Sequence, residues 1–262
     1  MKTVPVTQAD GKESGSTLDT LLSGRVRLRQ PVNGYRVAMD TVLAAACVPA
    51  KDGQSVLDAG AGTGGTALCL LARLPGIALT AIENDTGHLA YLEDNLAGTG
   101  SEIIADDLFG GALRGRGFDH VVTNPPFYEA GAHRLPETAS RRAAGHICGT
   151  GDRGIAEWIA ACMRRTVSGG TLSVIHRAEA AGAILAALDS RFGDCLLVPV
   201  FTRHDRDFAH RILVRARKGS RAPLRLHRGL CLTGADGSES AQARAILRDG
   251  LSLDRILRGG EC

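Results

Sequence analysis

Residues 55–64 read Ser-Val-Leu-Asp-Ala-Gly-Ala-Gly-Thr-Gly, and few folds accept that order. Val56 and Leu57 suit a short buried strand with Asp58 at its tip. Gly60, Gly62 and Gly64 then make a turn without a Cβ, which lets a ligand approach the backbone closely. Residues 66–74 carry Leu68, Leu71 and Leu74 at helical spacing and stop at Pro75-Gly76. Strand, glycine turn and helix are the opening unit of a doubly wound, nucleotide-binding α/β sheet.

The chain beyond Gly76 has the matching periodicity. Leu79–Glu83 reads as the second strand, and its terminal carboxylate falls about 20 residues after the turn, where a ribose diol is held in such sheets. Residues 87–97 form a helix with Leu89, Leu92 and Leu96 inward, and Glu102–Ala105 a third strand. Asp85, Asp106 and Asp107 lie beside these strand ends, as ligand contacts or as ordinary turn formers. Phe118–Thr123 is a fourth strand running straight into Asn124-Pro125-Pro126-Phe127. A long glycine-containing segment occupies 128–151, a length that in a compact domain is functional or mobile. A helix over 153–167 carries a core stripe through Trp158 and Cys162, and 171–175 and 179–188 come next as strand and helix. Residues 196–201 and 211–217 are two strands joined so shortly that they must be antiparallel, and 239–249 is a last helix. The expected fold is a Rossmann-like doubly wound sheet of seven strands, mostly parallel, with a C-terminal antiparallel hairpin.

Ahead of this unit, residues 1–17 are polar and aperiodic, a mobile tail. Residues 18–52 form an N-terminal arm and helix packed on the core. Leu18–Leu22 suggests a helical turn, Arg25–Gln30 alternates like a strand, and Asp40 precedes an apolar helix as its N-cap or as a ligand-facing carboxylate. The main domain spans 53–218 and a C-terminal extension 219–262.

The net charge of +3 decides nothing, but its distribution is uneven. Residues 24–36 hold four arginines, Arg36 among them, and no acid. Residues 203–228 hold eight arginines, Arg211 included, and Lys218 against only Asp205 and Asp207. These are solvated faces or a phosphate-binding surface. The seven cysteines form no Cys-x-x-Cys pair, so reduced thiols are expected rather than disulfides or a metal site. No apolar run reaches the ~20 residues of a membrane span, and the N-terminus lacks a signal-peptide core, so a cytoplasmic location is expected.

Asn124-Pro125-Pro126-Phe127 narrows the chemistry. Two prolines fix φ and remove two N–H donors, which leaves the Asn124 and Pro125 carbonyls free to face outward. With the Asn124 side-chain oxygen they offer acceptors for both hydrogens of an –NH₂ group. Holding both hydrogens draws an aromatic amine nitrogen toward tetrahedral geometry and localises its lone pair. Phe127 offers a ring face on which a base can stack, worth about 1–3 kcal/mol, and Tyr128 adds to the wall. An activated amine beside a bound nucleoside implies group transfer, with S-adenosylmethionine as donor. Its sulfonium leaves as a neutral thioether, so direct in-line transfer needs positioning more than acid–base catalysis.

The motifs together resemble the class I S-adenosylmethionine-dependent methyltransferases of the small-domain type. Residues 58–64 look like the cofactor motif, with Asp58, Gly60, Gly62 and Gly64. Glu83 matches the ribose-binding acid, Asp106 the acid near adenine, and Asn124-Pro125-Pro126-Phe127 the catalytic motif. Residues 29–40 and 209–214 are similar to the tRNA1(Val) (adenine-N6)-methyltransferase family. That resemblance implies an RNA partner, a tRNA with its target adenine in a loop, where an unpaired base is cheaply splayed out. Asp40 is carried with the cofactor residues, and Arg36, Arg211, Phe127 and Tyr128 with the substrate-binding ones. Phe127 stands where many adenine-N6 enzymes carry Tyr, and Phe is common in guanine-N2 rRNA enzymes, so either base stays open.

Three rivals remain on the sequence. A release-factor glutamine methyltransferase holds an amide by the same two acceptors but needs a helical N-terminal domain longer than the ~50 residues preceding the turn. A non-catalytic RNA-binding module has no need of an intact glycine turn, Glu83 and Asn-Pro-Pro. A nicotinamide-dependent reductase needs Gly-x-Gly-x-x-Gly, and the chain has Gly-Ala-Gly-Thr-Gly.

Overall fold

The computed structural model describes residues 15–32, 39–126, 154–188 and 190–258. An antiparallel hairpin comes first, β1 (Ser16–Leu21) paired with β2 (Val26–Pro31). The helical turn expected over 18–22 is instead strand β1, and only Leu22–Gly24 forms a short 3₁₀ turn between the strands. The strand wins because Leu18 pairs with Arg29 and Asp19 with Leu28, and Asp19 is buried in a hydrogen bond from Gln30. Asn95 holds the hairpin to the domain, accepting from the Arg29 amide at 2.8 Å and donating to the Arg29 carbonyl at 2.7 Å.

The chain then runs α1 (Met39–Cys47), β3 (Ser55–Ala59), α2 (Gly65–Arg73), β4 (Ala78–Glu83), α3 (Thr86–Leu96), β5 (Glu102–Ala105) and β6 (Phe118–Thr123). It continues through α4 (Ile155–Arg165), β7 (Thr166–Arg177), α5 (Ala181–Ala187), β8 (Phe192–Phe201) and β9 (Arg211–Lys218). The two-residue strands β10 (Arg225–Leu226) and β11 (Leu230–Cys231) and the helices α6 (Ala241–Leu247) and α7 (Leu253–Arg258) complete it.

The sheet order is β10-β8-β9-β7-β6-β3-β4-β5, with β11 also on β8. Strands β3 to β7 are parallel, and β9 is antiparallel to both β7 and β8. The sheet therefore has nine strands, not seven. The seven expected are all present, and two short edge strands were missed because a two-residue strand carries no period of its own. Helix α7 was missed for the same reason: six residues do not establish a helical repeat.

Helix α2 also corrects its expected face. Thr66, Ala67, Cys69 and Leu70 are buried, whereas Leu68, Leu71 and Leu74 are only partly covered. A glycine turn brings this helix close to the sheet, and small residues fill the contact. Ile246 of α6 and Leu253 of α7 are buried in the same core as Leu43, Val56 and Leu70. A 2.5 Å ion pair from Arg215 on β9 to Asp254 further ties α7 to the sheet. Cys47, Cys69, Cys162 and Cys195 are buried free thiols. No described helix is long and apolar enough to cross a membrane.

Candidate active site

Register brings the sequence motifs together. Thr123 on β6 stands opposite Ala59 on β3, and Ala59 opposite Ile82 on β4. The next residues along the three strands are Asn124, Gly60 and Glu83, so the glycine turn lies between the amide and the acid. Glu83 in turn stands opposite Ala105, which puts Asp106 just beyond the next strand end. Strand order reverses between β3 and β6, and in open α/β sheets the crevice at the carboxyl ends of such strands binds ligands.

Within that row the three glycines do different work. All have positive φ, which an L side chain resists. A Cβ on Gly60 would stand 2.9 Å from Trp158 Cζ2, and one on Gly64 2.8 Å from Leu92 Cδ1. A Cβ on Gly62 would meet nothing within 4 Å. Two glycines thus admit the protein's own side chains, and Gly62 alone borders open space.

Glu83 is 7% exposed, and its carboxylate pins the turn. Oε2 accepts from the Gly62 amide at 2.7 Å, and Oε1 from the Asn84 and Asp85 amides at 2.9 Å each. Asp58 is 2% exposed, and burial pushes its carboxyl up to about 7, with the nearby Glu83 charge adding to the rise. A hydrogen bond from the Ala67 backbone opposes it. Asp58 Oδ2, Thr63 Oγ1 and Asp85 Oδ2 are buried without a hydrogen-bond partner among the described residues. Buried polar atoms normally have partners. Asp58 at the strand tip and Thr63 in the turn beside Gly62 thus offer unpartnered oxygens that fit a ligand bringing its own ammonium and hydroxyl groups.

The other acids have local duties. Asp85 caps α3, its Oδ1 accepting from the Gly87 amide at 2.7 Å and the His88 amide at 3.1 Å. Asp106 closes its own loop by accepting from the Asp107 amide at 2.8 Å and the Ala112 amide at 3.0 Å. Asp107 accepts from the Phe109 amide at 2.9 Å.

Trp158, the single tryptophan, was legible only as part of a core stripe. Its Nε1 donates to Thr123 Oγ1 at 2.8 Å, and that hydroxyl donates to the Ala59 carbonyl at 2.8 Å. The Phe109 ring meets the indole edge-on, with centroids 5.9 Å apart. One indole therefore touches the glycine turn, the loop after Asp106, and the residue before Asn124. Nothing in helical spacing foretells where an indole N–H points.

Asn124 and Pro126 are half-buried and Pro125 is buried. His176 lies against the Pro126 backbone, and burial lowers its pKa. Asp40 is not an N-cap: it lies inside the first turn of α1, 4% exposed, and accepts from Arg211 Nε at 2.8 Å. Asp40 and Arg211, expected to serve cofactor and substrate separately, are thus joined to each other. Arg36, Phe127, Tyr128 and the segment 128–151 lie outside the described residues. Among the described residues no cluster of His, Cys, Asp and Glu is placed to hold a metal ion.

The basic stretch 203–228 is largely engaged. Arg203 pairs with Asp205, Arg211 with Asp40, Arg215 with Asp254 and Arg225 with Asp194. Arg217 donates to the Gly169 carbonyl at 2.7 Å, and Lys218 to the Thr166 and Met163 carbonyls. The sequence left this stretch open between solvated faces and a phosphate-binding surface, and showed none of these partners.

Comparison with known proteins agrees with this geometry. The family model "Methyltransferase small domain" matches residues 36–199. A release factor glutamine methyltransferase of Mycolicibacterium smegmatis is 32% identical over 158 residues, 57% of this chain and 54% of that protein. A tRNA1(Val) (adenine(37)-N6)-methyltransferase of Aeromonas hydrophila is 28% identical over 189 residues, 70% of this chain and 77% of that protein. The chain thus spans about half the length of the first relative and three quarters of the second. Among solved structures, a predicted O-methyltransferase from Agrobacterium tumefaciens superposes with a TM-score of 0.65 at 25% identity, covering 82% of this chain and 98% of that one. A T. thermophilus 16S rRNA N2 methyltransferase solved with AdoMet and guanosine shares the fold, with a TM-score of 0.50 at 18% identity over 81% of this chain and 53% of that one. The chain belongs to the methyltransferase small domain family, the S-adenosylmethionine-dependent class to which its strand-tip residues point.

Proposed function

We propose that this protein methylates an exocyclic amino nitrogen of a nucleobase, adenine N6 in a tRNA, with S-adenosylmethionine as donor. The observation that carries the reading is the side-by-side placement of Asn124, Gly60 and Glu83 on adjacent strand ends. Neighbouring strands lie about 4.8 Å apart, so the amide stands about one strand spacing from the glycine turn and two from the acid.

Bound S-adenosylmethionine supplies an electrophilic methyl group on a sulfonium that departs as a neutral thioether. Asp58 and Glu83 would hold it, with the glycine turn giving close backbone approach at Gly62. The Asn124 side-chain oxygen and the backbone carbonyl beside it accept the two amine hydrogens. This localises the nitrogen lone pair along the N–CH₃ direction, and the surplus proton leaves to water. No covalent enzyme intermediate is needed.

The Aeromonas relative favours adenine N6 in tRNA. The Mycolicibacterium relative favours the second reading, a glutamine amide of a release factor, which the same two acceptors also fit. Guanine N2 is a third acceptor of the same chemistry. Asn124→Ala removes nearly all methyl transfer, on the order of 100-fold or more in kcat, as loss of a transition-state contact does. Cofactor affinity by calorimetry stays within about threefold. Surviving activity refutes the role of Asn124. Mass spectrometry of nucleosides from cells with and without the gene identifies the base: loss of N6-methyladenosine from one tRNA supports the reading. Unchanged RNA with loss of a methylated release-factor glutamine replaces it.

A further inference from the structure

The β8–β9 connection, residues 202–210, leaves the sheet at the same edge as the catalytic loop. Val174 on β7 stands opposite Thr123, and three residues further along β7, Arg177 stands opposite Arg211, the first residue of β9. The connection therefore starts about 10 Å beyond the level of Asn124, two strands and about 10 Å to its side.

On this connection Phe208 is 87% exposed, the most exposed of the large apolar side chains among the described residues. A buried Phe contributes about 2–3 kcal/mol, none of which the isolated chain recovers here. Arg206, two residues away, makes no side-chain ion pair or hydrogen bond among the described residues, whereas Arg203 is held by Asp205 at 2.7 Å. Along the chain Phe208 is flanked by His204, Asp205, Arg206, Asp207, Ala209 and His210, so it is the one large apolar residue of a charged connection. A protein-docking hot spot sits in a well-packed pocket ringed by contacts that exclude water. A stacked base needs one aromatic face and one nearby cation.

We infer that Phe208 and Arg206 form a single-strand RNA clamp, in which a nucleotide flanking the target stacks on Phe208 and its phosphate meets Arg206. The clamp rests on the proposed RNA substrate and names the contact that holds it. It explains how the site recognises an unpaired loop although most of the 203–228 arginines are occupied.

The test uses the full chain, S-adenosylmethionine, and an unmodified tRNA transcript with its isolated anticodon stem–loop. Phe208→Ala raises KM for RNA about 10-fold. Cofactor affinity and Tm stay unchanged, as does the slope of log K against log salt, because no charge is removed. Phe208→Trp restores affinity, and Phe208→Leu, which is apolar but cannot stack, does not. Arg206→Gln flattens the salt slope by about one. A Phe208→Ala protein that methylates RNA with wild-type KM overturns the clamp and leaves the proposed function standing. Rescue by Leu equal to that by Trp also overturns it, and assigns the ring to an apolar partner. A wild-type chain that methylates a release factor and no RNA overturns both.

Discussion

Replacing Gly60 and Gly62 separately by Ala distinguishes the two kinds of glycine in the turn. Both positions have positive φ, 74° and 57°, and an alanine there costs about 1–2 kcal/mol. At Gly62 the new methyl meets nothing within 4 Å, so that strain is the whole stability cost. At Gly60 it stands 2.9 Å from Trp158 Cζ2. The indole cannot swing away freely, since its N–H is hydrogen-bonded to Thr123 Oγ1 and Phe109 packs on its edge. Overpacking a fixed core ring adds about 1–3 kcal/mol. For a chain of this size 1 kcal/mol shifts Tm by roughly 2–4 °C, so Gly60→Ala should melt about 5 °C below Gly62→Ala. Ligand binding reverses the order of interest. Gly62→Ala melts lower than the native chain only by the strain at its positive φ, yet loses about 10-fold or more in S-adenosylmethionine affinity, because its methyl enters the open space. Thermal denaturation and calorimetry give both numbers, and quenching of the single tryptophan gives an independent binding signal. Equal melting temperatures for the two variants would refute the claim that Trp158 dictates glycine at position 60.

The remaining predictions concern charge. Asp58 has a folded pKa of about 7, above its unfolded value. The stability it contributes is therefore fully present below the unfolded value and is lost as pH rises toward 7. A cationic cofactor binds the ionised form, so S-adenosylmethionine affinity should fall as pH drops through about 7, with proton release on binding. Asp58→Asn should abolish that pH dependence in calorimetry. Asp254→Ala leaves the Arg215 guanidinium, only 13% exposed, without its carboxylate. The cost should be about 2 kcal/mol by denaturant titration, with the exposed part of the pair discounted.

Much of the site was legible in the chain. Strand, glycine turn and helix announce themselves by period and by residues that few other arrangements tolerate, so β3, α2 and the crevice beyond β3 followed from local pattern alone. Glu83 and Asn124 were found because each ends an apolar run, which places it at a strand tip. Asp40 was misplaced because a helix start is ambiguous by a residue or two, and its partner lies 171 residues away on β9. The basic stretch stayed open between two readings for a similar reason. Charge is visible in sequence, but whether a carboxylate from another element cancels it is not.

The sequence by itself determined the fold class, the glycine turn and the Asn-Pro-Pro loop at the strand tip, since these rest on local backbone demands and short-range spacing. Only the tertiary structure decided that Asn124, Gly60 and Glu83 stand in one row, because strand register joins residues that the chain keeps apart. It also decided that Gly60 and Gly64 admit protein side chains while Gly62 faces open space. A missing Cβ reads the same in sequence whatever lies beyond it, and only packing determines whether that space holds an indole or a ligand.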